Sequence, residues 1–307
     1  MHTADSYQIH FEQLRARYER ERGSWDWSAF IDWLIDRRTT LRPASFRKYR
    51  SAVVSVLQQQ GGLWAAVLWE RLRHEGKAAR RCDLPRRTAA GKAKSLSSED
   101  QHRLMMWLRG HRGKWDALTE DWLFWSIQTG LRPVEWRDAT LHMHTSPVAL
   151  NVRNAKRSNG QAHGDFRTVH LQVDTEAMQA LQAFMRRVQC DFDFDAAYQG
   201  CRRALHRAAH ALWPRRHHHP TLYTGRHQFA ANAKASGLAP EAVAALMGHA
   251  VTETHQTHYG KRRCGRGELF AMADARDVQR VLDRMQTRAH VKASGVAPVP
   301  GVGARSS

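Results

Sequence analysis

Thr129-Gly130-Leu131-Arg132-Pro133-Val134-Glu135-Trp136 is the stretch on which the reading of this chain turns. Ahead of it, Trp115, Leu118, Trp122 and Trp125 recur at helical spacing. Gly130 suits the end of that helix because glycine enters left-handed backbone at little cost, and Pro133 suits the first turn of another short helix. Beyond it the period changes. Val148, Leu150 and Val152 alternate, then Val169, Leu171 and Val173 alternate, with Asn159-Gly160 between them, which predicts a β-hairpin or small sheet. Helical spacing returns at Met178, Leu181, Met185 and Val188, and again at Tyr198, Cys201, Leu205, Ala208 and Leu212. Further helices are expected near Thr224, at Pro240, near Thr252 and over residues 267–285. After Lys292 no period remains, and residues 291–307 are expected to form a disordered tail.

Working towards the other end, Ser97 with Asp100 three residues on reads as a helix cap before Leu104, Met105 and Leu108, so a domain begins near residue 96. Residues 75–95 have no apolar period and hold Lys77, Arg80, Arg81, Arg86, Arg87, Lys92 and Lys94 against two acids, Glu75 and Asp83. They read as a basic linker that touches phosphate. Residues 1–74 carry Phe11, Leu14 and Tyr18, then Trp27, Phe30 and Leu34, then Phe46, Tyr49, Val53 and Val56, then an apolar run from residue 63, which predicts a small all-helical domain. Arg42, Arg47, Lys48 and Arg50 cluster around its third helix as candidate phosphate contacts. The expected organisation is therefore a helical domain (1–74), a linker (75–95), a mixed second domain (96–290) and the tail.

The 307 residues contain 48 Lys and Arg against 29 Asp and Glu, a formal charge of +19 that calls for a polyanionic partner. Hydrophobic residues at 42%, with 11 Trp, are too many for a disordered basic tail, so the charge is carried on a folded frame. No apolar run approaches a bilayer span and the first residues lack a signal-like core, which implies a soluble cytoplasmic protein. Cys82, Cys190, Cys201 and Cys264 are scattered and read as ordinary thiols. His217-His218-His219 reads as a solvated basic loop, because consecutive residues cannot all face one metal ion from a regular element.

Cutting a phosphodiester without a metal requires a nucleophile, cations on the nonbridging oxygens and a proton donor for the leaving 5′ oxygen. No H-E-x-x-H, P-loop, carboxylate cluster or G-x-S-x-G occurs, so neither metal, nucleotide nor acyl-transfer apparatus is visible, and no cofactor is expected. Residues 129–136 resemble the first arginine motif of the tyrosine recombinases, the phage integrase family. Tyr223-Thr224-Gly225-Arg226-His227-Gln228-Phe229-Ala230 resembles that family's H-x-x-R-H-x-F-A box, and Leu246-Met247-Gly248-His249 its L-x-G-H element. Ten residues later comes Tyr259, where the family keeps its nucleophile.

The resemblance implies a mainly α fold with a small sheet, a two-domain C-shaped clamp of a helical core-binding domain and a mixed catalytic domain. It implies that Arg132 and Arg226 clamp the scissile phosphate, for which the planar guanidinium fork is suited. Tyr259 would attack phosphorus to give a 3′ phosphotyrosine, and His249 would hydrogen-bond the phosphate or assist proton movement. Lys156, towards the end of the first predicted strand, would protonate the leaving oxygen, with Arg153 and Arg157 as rivals. Tyr223 departs from the family pattern, which has His there. A phenol can still donate to phosphate but cannot shuttle protons near neutral pH, so His227 or His219 could take that part. The implied partners are double-stranded DNA with inverted-repeat core sites, three further copies of the chain in a homotetramer, and an accessory factor that sets direction. The helix at residues 268–285 would pack either on a neighbouring copy or on its own domain. A tyrosine-dependent topoisomerase and a DNA-binding protein with a decayed site are the competing readings.

Overall fold

The computed structural model describes residues 3–77, 92–143, 147–157, 162–253, 259–267 and 269–294. Arg80, Arg81, Arg86 and Arg87, the Asn159-Gly160 turn, residues 254–258 of the helix expected near Thr252, and residues 295–307 lie outside them. The chain is mostly helical with one four-stranded antiparallel sheet, and it divides into two compact units, residues 1–88 and 89–307. No helix among the described residues is long and apolar enough to cross a membrane.

The described residues of the first unit form four helices, α1 (Thr3–Arg22), α2 (Trp27–Asp36), α3 (Pro43–Gln60) and α4 (Gly62–His74). Asp26 caps α2 by accepting from the Ala29 amide at 2.7 Å, and Pro43 opens α3. The apolar stripes converge on one core in which Phe11, Tyr18, Trp25, Trp27 and Phe30 make edge-on and stacked ring contacts. Each such ring contributes about 1.5–3 kcal/mol by leaving water. Arg47 and Lys48 remain exposed, whereas Arg50 donates to the Gly76 carbonyl at 3.1 Å and so ties α3 to the segment after α4.

The second unit begins with α5 (Ser98–Gly110), capped as expected by Ser97 Oγ accepting from the Asp100 amide. α6 (Asp116–Thr129) is buried nearly all round and packs against α9 (Leu222–Ala235), forming the spine of the unit. Between them in sequence run a 3-10 helix (Pro133–Arg137), the strands β1 (Thr140–His142), β2 (Val148–Arg153) and β3 (Phe166–Leu171), then α7 (Thr175–Arg186) and α8 (Phe194–Leu212). α10 (Pro240–Leu246), β4 (Ala271–Ala273) and α11 (Ala275–Ser294) complete it.

Three features of this unit differ from the sequence expectation. The sheet has order β1-β2-β3-β4, so two three-residue strands flank the predicted pair. The predicted helix over 267–285 is a strand first: Ala271 and Ala273 pair with Leu171 and Val169, and Asp274 then starts α11 by accepting from the Arg276 amide. The free edge of β3 selects the extended form there over local helical spacing. The helix then runs on to Ser294, four residues into the stretch read as tail, and its Val278, Val281 and Met285 pack on Ala244 and Ala245 of α10 in the same chain.

Candidate active site

Gly130 closes α6 in the left-handed region at φ 70°, where a Cβ would also run into the Phe229 ring. That turn presents the Gly130 carbonyl to Arg226, whose Nη1 donates to it at 2.6 Å. Two residues on, Arg132 begins the 3-10 helix, and Glu135 folds back to accept from the Arg132 amide at 2.8 Å and from its Nη1 at 2.6 Å.

Glu135 is the hub of the site. Its carboxylate is fully buried and also accepts from Arg167 Nη2 at 2.7 Å and the Ala155 amide at 3.2 Å, and it lies 3.8 Å from Arg226 Nη1. Burial by itself would push its carboxyl up, but Arg167, Arg132 and Arg226 outweigh burial and hold it well below the usual carboxylate range. Arg167 comes from β3, where its side chain shares the inward face with Val169 and Leu171. It donates to Leu246 O at 2.9 Å and also to Asn154 Oδ1, the residue that follows β2. Gly248, at φ 59°, passes so close that a Cβ there would strike Asn154 Oδ1.

α9 contributes the remaining framework. Arg226 is fully buried, and its Nη2 donates to Met247 O at 2.5 Å and meets His249 Nε2 at 3.0 Å. Its Nε reaches Tyr259 Oη at 3.4 Å. Tyr223, one helical turn before Arg226, shares a 2.8 Å hydrogen bond with Tyr259, Oη to Oη. Lys234 donates to the Gly260 carbonyl at 2.9 Å and so fixes the backbone beside Tyr259.

The electrostatics separate the two phenols. Burial pushes both up; at Tyr223 it prevails and the phenol stays above its ordinary value. At Tyr259 burial is outweighed by Arg226, the hydrogen bond from Tyr223 and Arg132, and the phenol falls below its ordinary value. Tyr223 is therefore the donor when Tyr259 ionises. His227 lies against both rings, at 5.4 and 4.8 Å between centroids, but burial, Arg226 and the nearby lysines push it down to about 4. It is a neutral imidazole at neutral pH.

Arg132, Arg226, His249, Tyr223 and Tyr259 thus form one cluster, although the two guanidinium groups are used differently. The fork of Arg226 is occupied by main-chain carbonyls and His249. Arg132 keeps Nε and Nη2 buried without a hydrogen-bond partner among the described residues. Lys156 is exposed and lies three residues past the end of β2 rather than within it, in a turn anchored through Asn154 and Ala155 to the Glu135 hub. Of the rivals of Lys156, Arg153 is exposed near Asp138, and Arg157 is half-buried in the same turn. His219 is not in the cluster; it stacks on His210 of α8. Arg42, Arg47, Lys48, Arg50 and Lys77 belong to the first unit, and Lys92 and Lys94 are exposed in the second.

Sequence reasoning missed Glu135, Arg167 and Asn154. The signal was present: Asn154 continues the Leu150-Val152 alternation and Arg167 precedes Val169 and Leu171 in phase, so each polar side chain falls on the buried face of its strand. No group of three or more His, Cys, Asp or Glu able to hold a metal occurs among the described residues.

No protein-family model matches the sequence, and no curated protein matches it at a significant level. Among solved structures, the chain is similar to a XerH site-specific recombinase bound to a palindromic difH substrate, with 15% identity, TM-score 0.48, and 83% of this chain and 75% of that one covered. It is similar also to a Tn1549 transposon integrase in complex with transposon right end DNA, with 14% identity, TM-score 0.46, and coverages of 92% and 94%. A XerA recombinase overlays with 16% identity, TM-score 0.37, and coverages of 93% and 98%. At these identities and scores, what the chain does rests on its own residues.

Proposed function

We propose that the protein is a site-specific DNA recombinase that breaks and rejoins strands through a covalent bond between Tyr259 and a 3′ phosphate, serving to integrate or excise a mobile element. The observation that carries this reading is the unsatisfied guanidinium of Arg132. Two of its nitrogens are buried without acceptors among the described residues, in the same cluster where Arg226 reaches the Tyr259 oxygen. Buried charged donors without partners are costly, and the nonbridging oxygens of a phosphate supply what they lack in a bidentate geometry. A phenol that ionises below its ordinary value, held beside that phosphate, is an activated oxygen nucleophile.

In the step so envisaged, the Tyr259 phenol gives up its proton to solvent with His249 assisting, and its oxygen forms a bond to phosphorus while the bond from phosphorus to the 5′ oxygen breaks. Arg132 and Arg226 balance the charge on the nonbridging oxygens, and Lys156 gives the leaving oxygen its proton as the β2–β3 turn approaches. The 5′ hydroxyl of a second strand reverses the step. On this reading the partner is duplex DNA with inverted-repeat core sites. Four protomers act on two duplexes, and an accessory factor sets direction.

The test uses a pool of nicked duplexes of randomised sequence, which trap the intermediate because the short cleaved strand diffuses away. The expected result is a covalent protein–DNA adduct with the wild-type chain and none with Tyr259→Phe, which still binds DNA. Persistence of the adduct in Tyr259→Phe would move the nucleophile elsewhere. Binding by wild type without any adduct would leave a DNA-binding protein with a decayed site.

A further inference from the structure

A second cluster of basic side chains lies on the outer side of α8, where the sequence suggested only a solvated histidine loop. His206 and His210 are one helical turn apart, and their rings lie 4.1 Å apart, centroid to centroid. His219 comes in from the loop before α9 and stacks on His210 at 4.0 Å, so three imidazoles form a continuous column. The column borders a cavity of about 510 Å³ that Arg202, Arg203 and Lys92 also line. Lys92 is held there because its backbone bridges to His219, and the Ala93 amide donates to the His219 carbonyl at 3.0 Å. Thr224 of α9 in turn donates to Ala93 O at 2.9 Å, which joins this cavity to the helix that carries Tyr223 and Arg226.

The charge around this cavity is one-sided. Among the described residues no carboxylate lines it, and Lys92, Arg202 and Arg203 make no ion pair. Arg216, in the same loop as His219, is instead occupied by Asp100. α9 contributes Leu222 to the lining, with Thr221 and Pro220 just before it, so among the described residues every titratable group that lines the cavity is basic. Burial and the two neighbouring imidazoles hold His219 below its ordinary value, because a second positive charge in the column meets the first at stacking distance.

We infer that this cavity is a phosphate-binding site whose histidine column takes up protons when the anion enters. The inference rests on the reading of the protein as DNA-acting, since a backbone phosphodiester is then the phosphate at hand; free phosphate has the same chemistry and is separated by the test. An oxyanion between Arg203, Lys92 and the column favours imidazolium over imidazole, so the bound state holds more protons than the free state. By linkage its affinity rises as pH falls through the range where free histidines titrate.

The experiment measures binding of the full-length protein to a labelled 30-base-pair duplex at pH 7.5 and pH 6.0, at fixed salt. Wild type is expected to bind about tenfold more tightly at pH 6.0, the change that a mean uptake of about two thirds of a proton gives over that interval. The triple variant His206→Gln, His210→Gln, His219→Gln is expected to reduce that ratio to about twofold or less. Lys92→Gln with Arg203→Gln is expected to flatten the logarithmic salt dependence by about two. These side chains are exposed or half-buried, and equal melting temperatures check the fold. In parallel, inorganic phosphate is titrated while the histidine ring protons are followed by NMR. A wild-type pH ratio retained by the triple variant overturns the inference while leaving the recombinase reading intact. Failure of the duplex to bind at either pH, with phosphate still moving the three histidine signals, upholds the site and removes the DNA reading.

Discussion

Two phenols share one hydrogen bond at the site, and the cations around them favour loss of the proton from Tyr259 over Tyr223. Tyr223 occupies the position where an imidazole is the usual occupant of the resembled motif, and it shares a hydrogen bond with Tyr259 that lowers the phenol of Tyr259. His227, pushed down to about 4, is on hand only as a neutral ring. Replacing Tyr223 with Phe removes a hydrogen bond to a charged oxygen, worth about 1.5–3 kcal/mol, so adduct formation should slow by about 10- to 150-fold. The sign of the pH effect follows from the donor. Tyr223 helps hold Tyr259 below its ordinary value, so its loss lets the phenol climb, and the rise of rate with pH should move to higher pH. A pH–rate profile of adduct formation checks both, and a profile that slows without moving would mean that Tyr223 acts on the phosphate and not on Tyr259.

Between elements, the site is held by a single carboxylate. Glu135 binds the start of the 3-10 helix to β3 through Arg167, to the turn after β2 through the Ala155 amide, and to α9 by proximity to Arg226. Changing it to Gln leaves three buried guanidinium groups short of their counter-charge, which should cost about 3–5 kcal/mol and lower the melting temperature of the second unit by roughly 10 °C. Because the folded carboxyl lies below its unfolded value, its stabilisation is complete above about pH 4.5 and is lost as pH falls below that, so the variant should also lack part of the wild-type acid destabilisation in that range. Urea melts at pH 3.5 and pH 6 measure this difference. The hub also explains what could and could not be read from the chain. Arg132, Arg226, His249 and Tyr259 stand in short stretches that resemble the motifs of one family in their order, and it is that resemblance which implies their approach to one another. Arg167 and Asn154 could not be recognised by type, because charged and amide side chains read as surface until their strand phase places them inward. β4 was hidden for another reason: three residues of Ala271-Met272-Ala273 have little strand preference of their own, and pairing with β3 decides them.

Across the molecule, the +19 charge is unevenly committed. Part of it is internal framework, as in the ion pairs of Arg37 with Glu21, Arg71 with Asp32 and Arg207 with Asp116. Arg47, Lys48 and Lys77 in the first unit, and Lys92 and Lys94 in the second, are exposed and make no ion pair among the described residues. Cations left in water on both units are available to phosphates along a duplex, and each contact releases condensed counterions. For about six to ten contacts, the logarithm of affinity should fall with the logarithm of salt at a slope of about −5 to −9. If the first unit carries part of that grip, Arg47→Gln with Lys48→Gln should make the slope shallower by about two, while adduct yield at saturating DNA stays within about twofold of wild type, because neither side chain belongs to the Glu135–Tyr259 network. Fluorescence anisotropy over a salt series separates the cases. A wild-type slope near zero would mean that the excess charge serves something other than duplex DNA. A steep slope untouched by the double variant would instead place the phosphate contacts on the second unit alone.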